Sequence, residues 1–340
     1  MSGFADFLRG VETGDPDQQG ALRLVARNAS ILADGLYRVL TNGPPEELRG
    51  ILGAGVTVNS IYGQPSPLII VEEGFTSASA GYRSDATDVL GEHALGVLDD
   101  RLRSLSRAPQ DDDWPGLLHN TEARVLPPLN LTWGSAHRSK GALRGTFGAT
   151  VVLPGGGNTE AVLTAGHVVG PPTAGQVDDL DDGETGQVVD VHDPCSPSAK
   201  LDAVCADVAV IDFSMGTGPH HPPSLQIDDF RDGRAAEDVT FHLNSGTSTS
   251  QLDAFFSALK YSSTARAYGG ALWLTTDCKT QAGDSGAAVT VSSGTGTEEL
   301  IGHVIGDYRD VHSTHSTYYS VIQSILWQLG ALGCQLARIP

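Results

Sequence analysis

The stretch Gln281-Ala282-Gly283-Asp284-Ser285-Gly286 sets a serine in a turn flanked by glycines. A glycine two places before the serine lets the backbone aim the N–H groups of Gly283 and Ser285 at one spot. There they would stabilise an oxyanion without help from side chains. A serine hydroxyl attacks only when a base takes its proton, and that base needs a partner that fixes its tautomer. Ala161-Val162-Leu163-Thr164-Ala165-Gly166-His167-Val168-Val169 offers the base, a histidine at the end of an apolar run. Ala206-Asp207-Val208-Ala209-Val210-Ile211 offers the partner, an acid set just before another apolar run. Taken singly, these are an ordinary turn, a loop histidine and a strand-edge acid. In the order His167, Asp207, Ser285, spaced by 40 and 78 residues, they offer a candidate for each part that acyl transfer by a serine requires.

Such groups come from distant parts of the chain, so a rigid scaffold must bring them together. Beyond residue 140 the sequence breaks into short β-rich runs separated by Gly, Pro, Asp and Ser. The runs are 145–153, 160–164, 187–192, 208–213, 239–243, 265–275, 287–292 and 300–305. Strands of this size and spacing argue for a sandwich or barrel. The pattern of Val321, Ile322, Ile325, Leu326 and Leu329 predicts a closing helix over Tyr318–Leu332. Upstream, apolar spacing predicts helices over 15–41 and 84–106 and extended chain over 51–71. The stretch from Arg107 to Pro115, with Asp111-Asp112-Asp113, reads as a solvated connector. We therefore divide the chain into a smaller α+β N-terminal domain, 1–125, and a mainly β domain, 126–340.

Residues 140–335 resemble a trypsin-like (chymotrypsin-fold) serine protease. The resemblance rests on Leu163-Thr164-Ala165-Gly166-His167-Val168, Asp207-Val208-Ala209-Val210 and Gly283-Asp284-Ser285-Gly286. Two supports agree: Gly145-Thr146-Phe147-Gly148-Ala149-Thr150-Val151 is similar to the family's first strand. Leu300-Ile301-Gly302-His303-Val304-Ile305-Gly306 is similar to the strand that pairs with bound peptide. The resemblance implies a double β-barrel with a C-terminal helix, peptide or protein substrates, and an endopeptidase mechanism needing neither metal nor cofactor. It also places Lys279 and Thr280 at the base of a specificity pocket, with His303, Val304 and Gly306 on the pocket-wall strand. A lysine, a threonine and a histidine together would suit an acidic side chain. A one-residue register slip would turn His303 away, leaving a pocket for small or apolar groups.

The sequence departs from the family in lacking an Ile-Val-Gly-Gly start, so Asp284 must find a partner other than a liberated terminal amine, or none. With no export-signal pattern at the start, the four cysteines read as reduced thiols and the expected location is the cytoplasm, as in an intracellular bacterial branch. The net charge of -20 argues against nucleic acid and anionic membranes as partners. Residues 1–125 exceed what the chemistry requires, so their expected role is to recruit a protein partner or to regulate the site. A non-catalytic protein using the same barrel as a binding platform is the alternative the motifs leave open.

Overall fold

The computed structural model describes residues 4–8, 23, 27, 31–33, 35–40, 46–76, 82–105, 118–129, 137–139, 144–152, 160–169, 176–179, 185–194, 204–214, 227–265, 268–276, 278, 280–281, 283–293, 297–309 and 318–332. The connector 107–115 and Lys279 lie outside them.

In chain order the strands are β1 (Ile51–Thr57), β2 (Ser66–Glu72), β3 (Arg83–Asp85), β4 (Glu122–Leu126), β5 (His137–Ser139), β6 (Arg144–Gly145), β7 (Ala149–Val152), β8 (Glu160–Thr164), β9 (Gln176–Asp179) and β10 (Thr185–His192). They continue as β11 (Val204–Cys205), β12 (Val208–Asp212), β13 (Ile227–Phe230), β14 (Asp238–Leu243), β15 (Gly246–Lys260), β16 (Tyr268–Thr276), β17 (Ala288–Ser292), β18 (Glu298–Arg309) and β19 (Tyr318–Ser324). One sheet runs β6-β5-β9-β10-β12-β8-β7. In the other, β14, β15, β16, β19, β18 and β17 follow one another, and β17 pairs back to β14 to close a six-stranded barrel. With the helix Ile325–Leu332 behind it, this is the mainly β, chymotrypsin-like arrangement that the resemblance implied.

Side-chain alternation sorts the barrel residues into two cores. Phe241, Phe255, Trp273, Val289, Val304 and Ile322, one from each barrel strand, meet in the interior. Their neighbours Phe256, Leu272, Leu274, Ile305 and Val321 face outward into a second core. A third cluster, including Ala161, Leu163, Val208, Ala288, Ile325 and Leu329, joins the first sheet, the barrel and the C-terminal helix.

The outward core exists because the N-terminal strands cover it. β1 pairs antiparallel with β15, from Gly53 opposite Leu259 to Thr57 opposite Ala254, so the barrel sheet continues through β1 into β2, β4 and β3. Leu52, Leu68, Ile70 and Leu126 pack on the barrel wall. Ile51, Ile69, Val71 and Ala123 face the other way, against Leu32, Leu36, Val89, Leu98 and Leu102 of the helical layer. A fully buried leucine or isoleucine is worth roughly 1.5–3 kcal/mol, so four of them fix this layer firmly to the barrel. The helix Ala86–Leu105 begins where Asp85 Oδ1 accepts from the Thr87 amide at 2.9 Å, an N-cap.

Two elements differ from the sequence-based expectation. Residues 318–324 form the strand β19 rather than the first half of a helix, because they fill the gap between β16 and β18. The 15-residue β15 was not foreseen. Its Leu252, Phe255, Phe256 and Leu259 recur at helical spacing, yet from Ala254 to Leu259 β1 and β16 pair both of its edges, and from Leu252 to Leu259 both faces are largely buried.

Candidate active site

His167, Asp207 and Ser285 come from three separate elements. His167 follows β8 in the short turn of helix Gly166–Val169, Asp207 immediately precedes β12, and Ser285 precedes β17. β8 and β12 are antiparallel neighbours, with Thr164 opposite Ala209, which carries the two residues to the same end of the sheet. His167 Nδ1 lies 2.7 Å from Asp207 Oδ2, and its Nε2 lies 3.0 Å from Ser285 Oγ. The backbone amide of His167 donates to Asp207 Oδ1 at 2.9 Å. A carboxylate facing Nδ1 holds the proton there and leaves Nε2 as an acceptor aimed at the serine hydroxyl. The Ile305 carbonyl oxygen, 3.2 Å from Ser285 Oγ, is a second acceptor for the same hydroxyl proton.

The nucleophile loop depends on backbone shapes that only glycine takes easily. Gly283 has φ of 109° and Gly286 of 93°, both in the left-handed region. A Cβ on Gly286 would lie 2.2 Å from the Thr146 carbonyl oxygen, so the loop can press against the first sheet only there. Thr146 reinforces this contact: its amide donates to the Ser285 carbonyl at 2.7 Å and its hydroxyl to the Gly283 carbonyl at 2.6 Å.

Asp284 finds its partners in backbone amides. Oδ2 accepts from Gln281 N at 2.7 Å, and Oδ1 from Asn244 N in the β14–β15 turn at 3.1 Å. Burial pushes its carboxyl above the usual range, with the two amides opposing that shift. The turn that joins β14 to β15 thus takes the place the sequence left open.

Other polar residues that sequence reading missed surround Asp207. Gln323 Oε1, on β19, accepts from the Asp207 amide at 2.6 Å. Gln328 Nε2, on the C-terminal helix, donates to the Asp207 carbonyl at 3.1 Å. Tyr261 Oη donates to Asp207 Oδ2 at 3.3 Å. No motif marks these three residues, since each is placed by tertiary packing alone.

The expected pocket residues that the structure describes differ in their surroundings. Thr280 is buried, with Oγ1 3.3 Å from Ser320 Oγ, and Ser320 pairs with Asp307 across β18 and β19. His303 lies four residues back along β18, fully buried in the seam between the sheets. Its Nδ1 is 2.8 Å from Gln328 Oε1, and a Cβ on Gly148 would lie 2.3 Å from its Nε2. Burial lowers its pKa to about 4, so the ring is neutral near pH 7, and among the described residues Nε2 has no hydrogen-bond partner. Val304 belongs to the barrel interior, where its amide donates to Ala287 O and its carbonyl accepts from Gly286 N. Gly306 follows a register shift in β18. Among the described residues, no group of three or more His, Cys, Asp or Glu side chains could hold a metal. Among them too, no helix is long and apolar enough to cross a membrane.

No protein-family model and no curated protein matches the chain. Several solved structures are similar to it. A glutamic acid-specific serine protease shares 16% identity over 60% of this chain and 99% of its own, with a TM-score of 0.44. The Rv3671c protease of M. tuberculosis, in its inactive form, shares 19% over 58% and 85%, with a TM-score of 0.34. Kallikrein-related peptidase 10 shares 11% over 58% and 91%, with a TM-score of 0.35.

Proposed function

We propose that this protein is a serine endopeptidase of the trypsin-like kind. Ser285 attacks the scissile carbonyl, His167 takes the hydroxyl proton and later returns it to the leaving amine, and Asp207 orients and stabilises the imidazolium. The amides of Gly283 and Ser285 receive the oxyanion, and water releases the acyl group from Ser285. The edge of β18 around Gly306 pairs with the peptide, and Thr280 lies at the base of the pocket for its side chain. The reading is supported above all by the two linked hydrogen bonds, 3.0 and 2.7 Å, that join a serine through a histidine to a buried acid. The substrates are peptides or proteins, and the N-terminal unit, 1–125, regulates or targets the protease unit, 126–340.

Ser285 and His167 are both buried. A fluorophosphonate probe incubated to completion with the full chain tests the reading. It should attach to wild type at Ser285 and to neither Ser285→Ala nor His167→Ala. Absence of label on folded wild type at completion would overturn it.

A further inference from the structure

We infer that Tyr261 is a positioning residue for Asp207, and that the N-terminal layer holds it in place. The N-terminal layer then helps align the chemistry as well as cover the barrel. This inference rests on the protease reading above.

The phenol of Tyr261 donates to Asp207 Oδ2, the same oxygen that faces His167 Nδ1. Its ring is 5% exposed and belongs to the outward core, among Leu52, Leu68, Ile70, Leu126 and Leu129. Space for the phenol is reserved on β16, where a Cβ on Gly269 would lie 2.9 Å from Tyr261 Oη. Two backbone contacts fix the chain around it. Leu129 N donates to the Tyr261 carbonyl at 2.8 Å, and Ser263 N donates to Glu72 Oε2 at 2.5 Å. Glu72 ends β2, so the residue that reaches the triad acid is clamped by the layer two strands away from the barrel.

The electrostatic consequence has a definite sign. A hydrogen bond donated to a carboxylate spreads its negative charge and weakens its pull on a neighbouring cation. Losing the phenol leaves Asp207 a stronger acceptor for the His167 Nδ1–H, which moves that proton's resonance further downfield. The orientation of the carboxylate loosens at the same time. A Tyr261 that only filled space would not move the resonance of the histidine proton.

The test compares full-length wild type with Tyr261→Phe by two measurements. One is the fluorophosphonate labelling rate, and the other is proton NMR of the far-downfield His167 Nδ1–H. Tyr261→Phe should slow labelling about fivefold, the scale of one ordinary hydrogen bond. It should also move the Nδ1–H resonance further downfield. Gly269→Ala, which keeps the tyrosine but displaces its phenol, should do the same, and covers the case in which Tyr261→Phe does not fold. Glu72→Ala should give a smaller shift in the same direction. An unmoved Nδ1–H resonance in Tyr261→Phe or Gly269→Ala overturns the inference. The NMR measurement needs no reactive serine. A shifted resonance with unlabelled wild type would therefore sink the protease reading and leave the coupling from Tyr261 to His167 standing.

Discussion

Two buried aspartates, Asp253 and Asp207, are satisfied in opposite ways. Asp253, on β15, receives the guanidinium of Arg124 at 2.6 Å and the Thr57 hydroxyl at 3.1 Å. Arg124 is fully buried, stacks over Tyr319 at 5.1 Å, and also binds Glu122 at 2.7 Å. Burial alone would raise the Glu122 carboxyl, but Arg124 and Arg83 together hold it below the ordinary range. Asp207, by contrast, meets the ring and amide of His167 and the phenol of Tyr261 through its carboxylate oxygens, with no arginine among its partners in the described residues. Arginine keeps its charge at every working pH, so it suits a joint that must never change. A histidine that must gain and lose a proton needs an acid whose charge is not already spent. The contrast separates a structural seam from a chemical one.

Three perturbations probe that contrast, starting with the largest expected effect. Asp207→Asn should cut the fluorophosphonate labelling rate about 10,000-fold, because the amide favours the wrong histidine tautomer. Thermal unfolding should change little. Arg124→Met should act the other way, costing about 3–5 kcal/mol in urea denaturation, because Asp253 and Glu122 stay buried without their cation. Adding Asp253→Leu should recover part of that loss, and labelling per folded molecule should stay near wild type. If Arg124→Met instead abolished labelling in folded protein, the two seams would not be separable.

The smallest effect belongs to His303. Its folded pKa, about 4, lies below its ordinary 6.5, so the unfolded chain takes up the proton first. The stability it contributes is complete above pH 6.5 and is lost as pH falls toward 4, by about 3 kcal/mol at the limit. His303→Gln should flatten that part of the stability curve measured by urea denaturation. An unchanged slope would mean that another group carries the acid sensitivity.

The chemistry was far more legible in the sequence than the scaffold around it. His167, Asp207 and Ser285 each stand in a short motif, because the local backbone around each one must take a particular shape. The partners of Asp207 left no such trace. Gln323, Gln328 and Tyr261 reach it from β19, the C-terminal helix and the end of β15, over separations set by packing. β15 was hidden for a related reason: its second half, from Leu252 to Leu259, is largely buried on both faces and lacks the polar alternation of a half-exposed strand. β19 was read as helix because a short apolar run does not reveal its period. His303 sits on the strand where the resemblance put it, but its ring turns into the seam, and its strand position alone did not settle which way the ring would point.

The pairing of β1 with β15 sets the terms on which the two parts of the chain could ever be parted. From Ala254 to Leu259, β15 is bonded on one edge to β16 and on the other to β1. Cutting away residues 1–125 would leave that edge a row of unsatisfied donors and acceptors beside a bare apolar wall of Phe256, Leu272, Leu274 and Val321. Such a surface recruits another strand, and the nearest supply is a second copy of the same fragment. Release by proteolytic clipping, in the manner of a detachable pro-segment, would therefore yield a self-associating fragment instead of a freed enzyme.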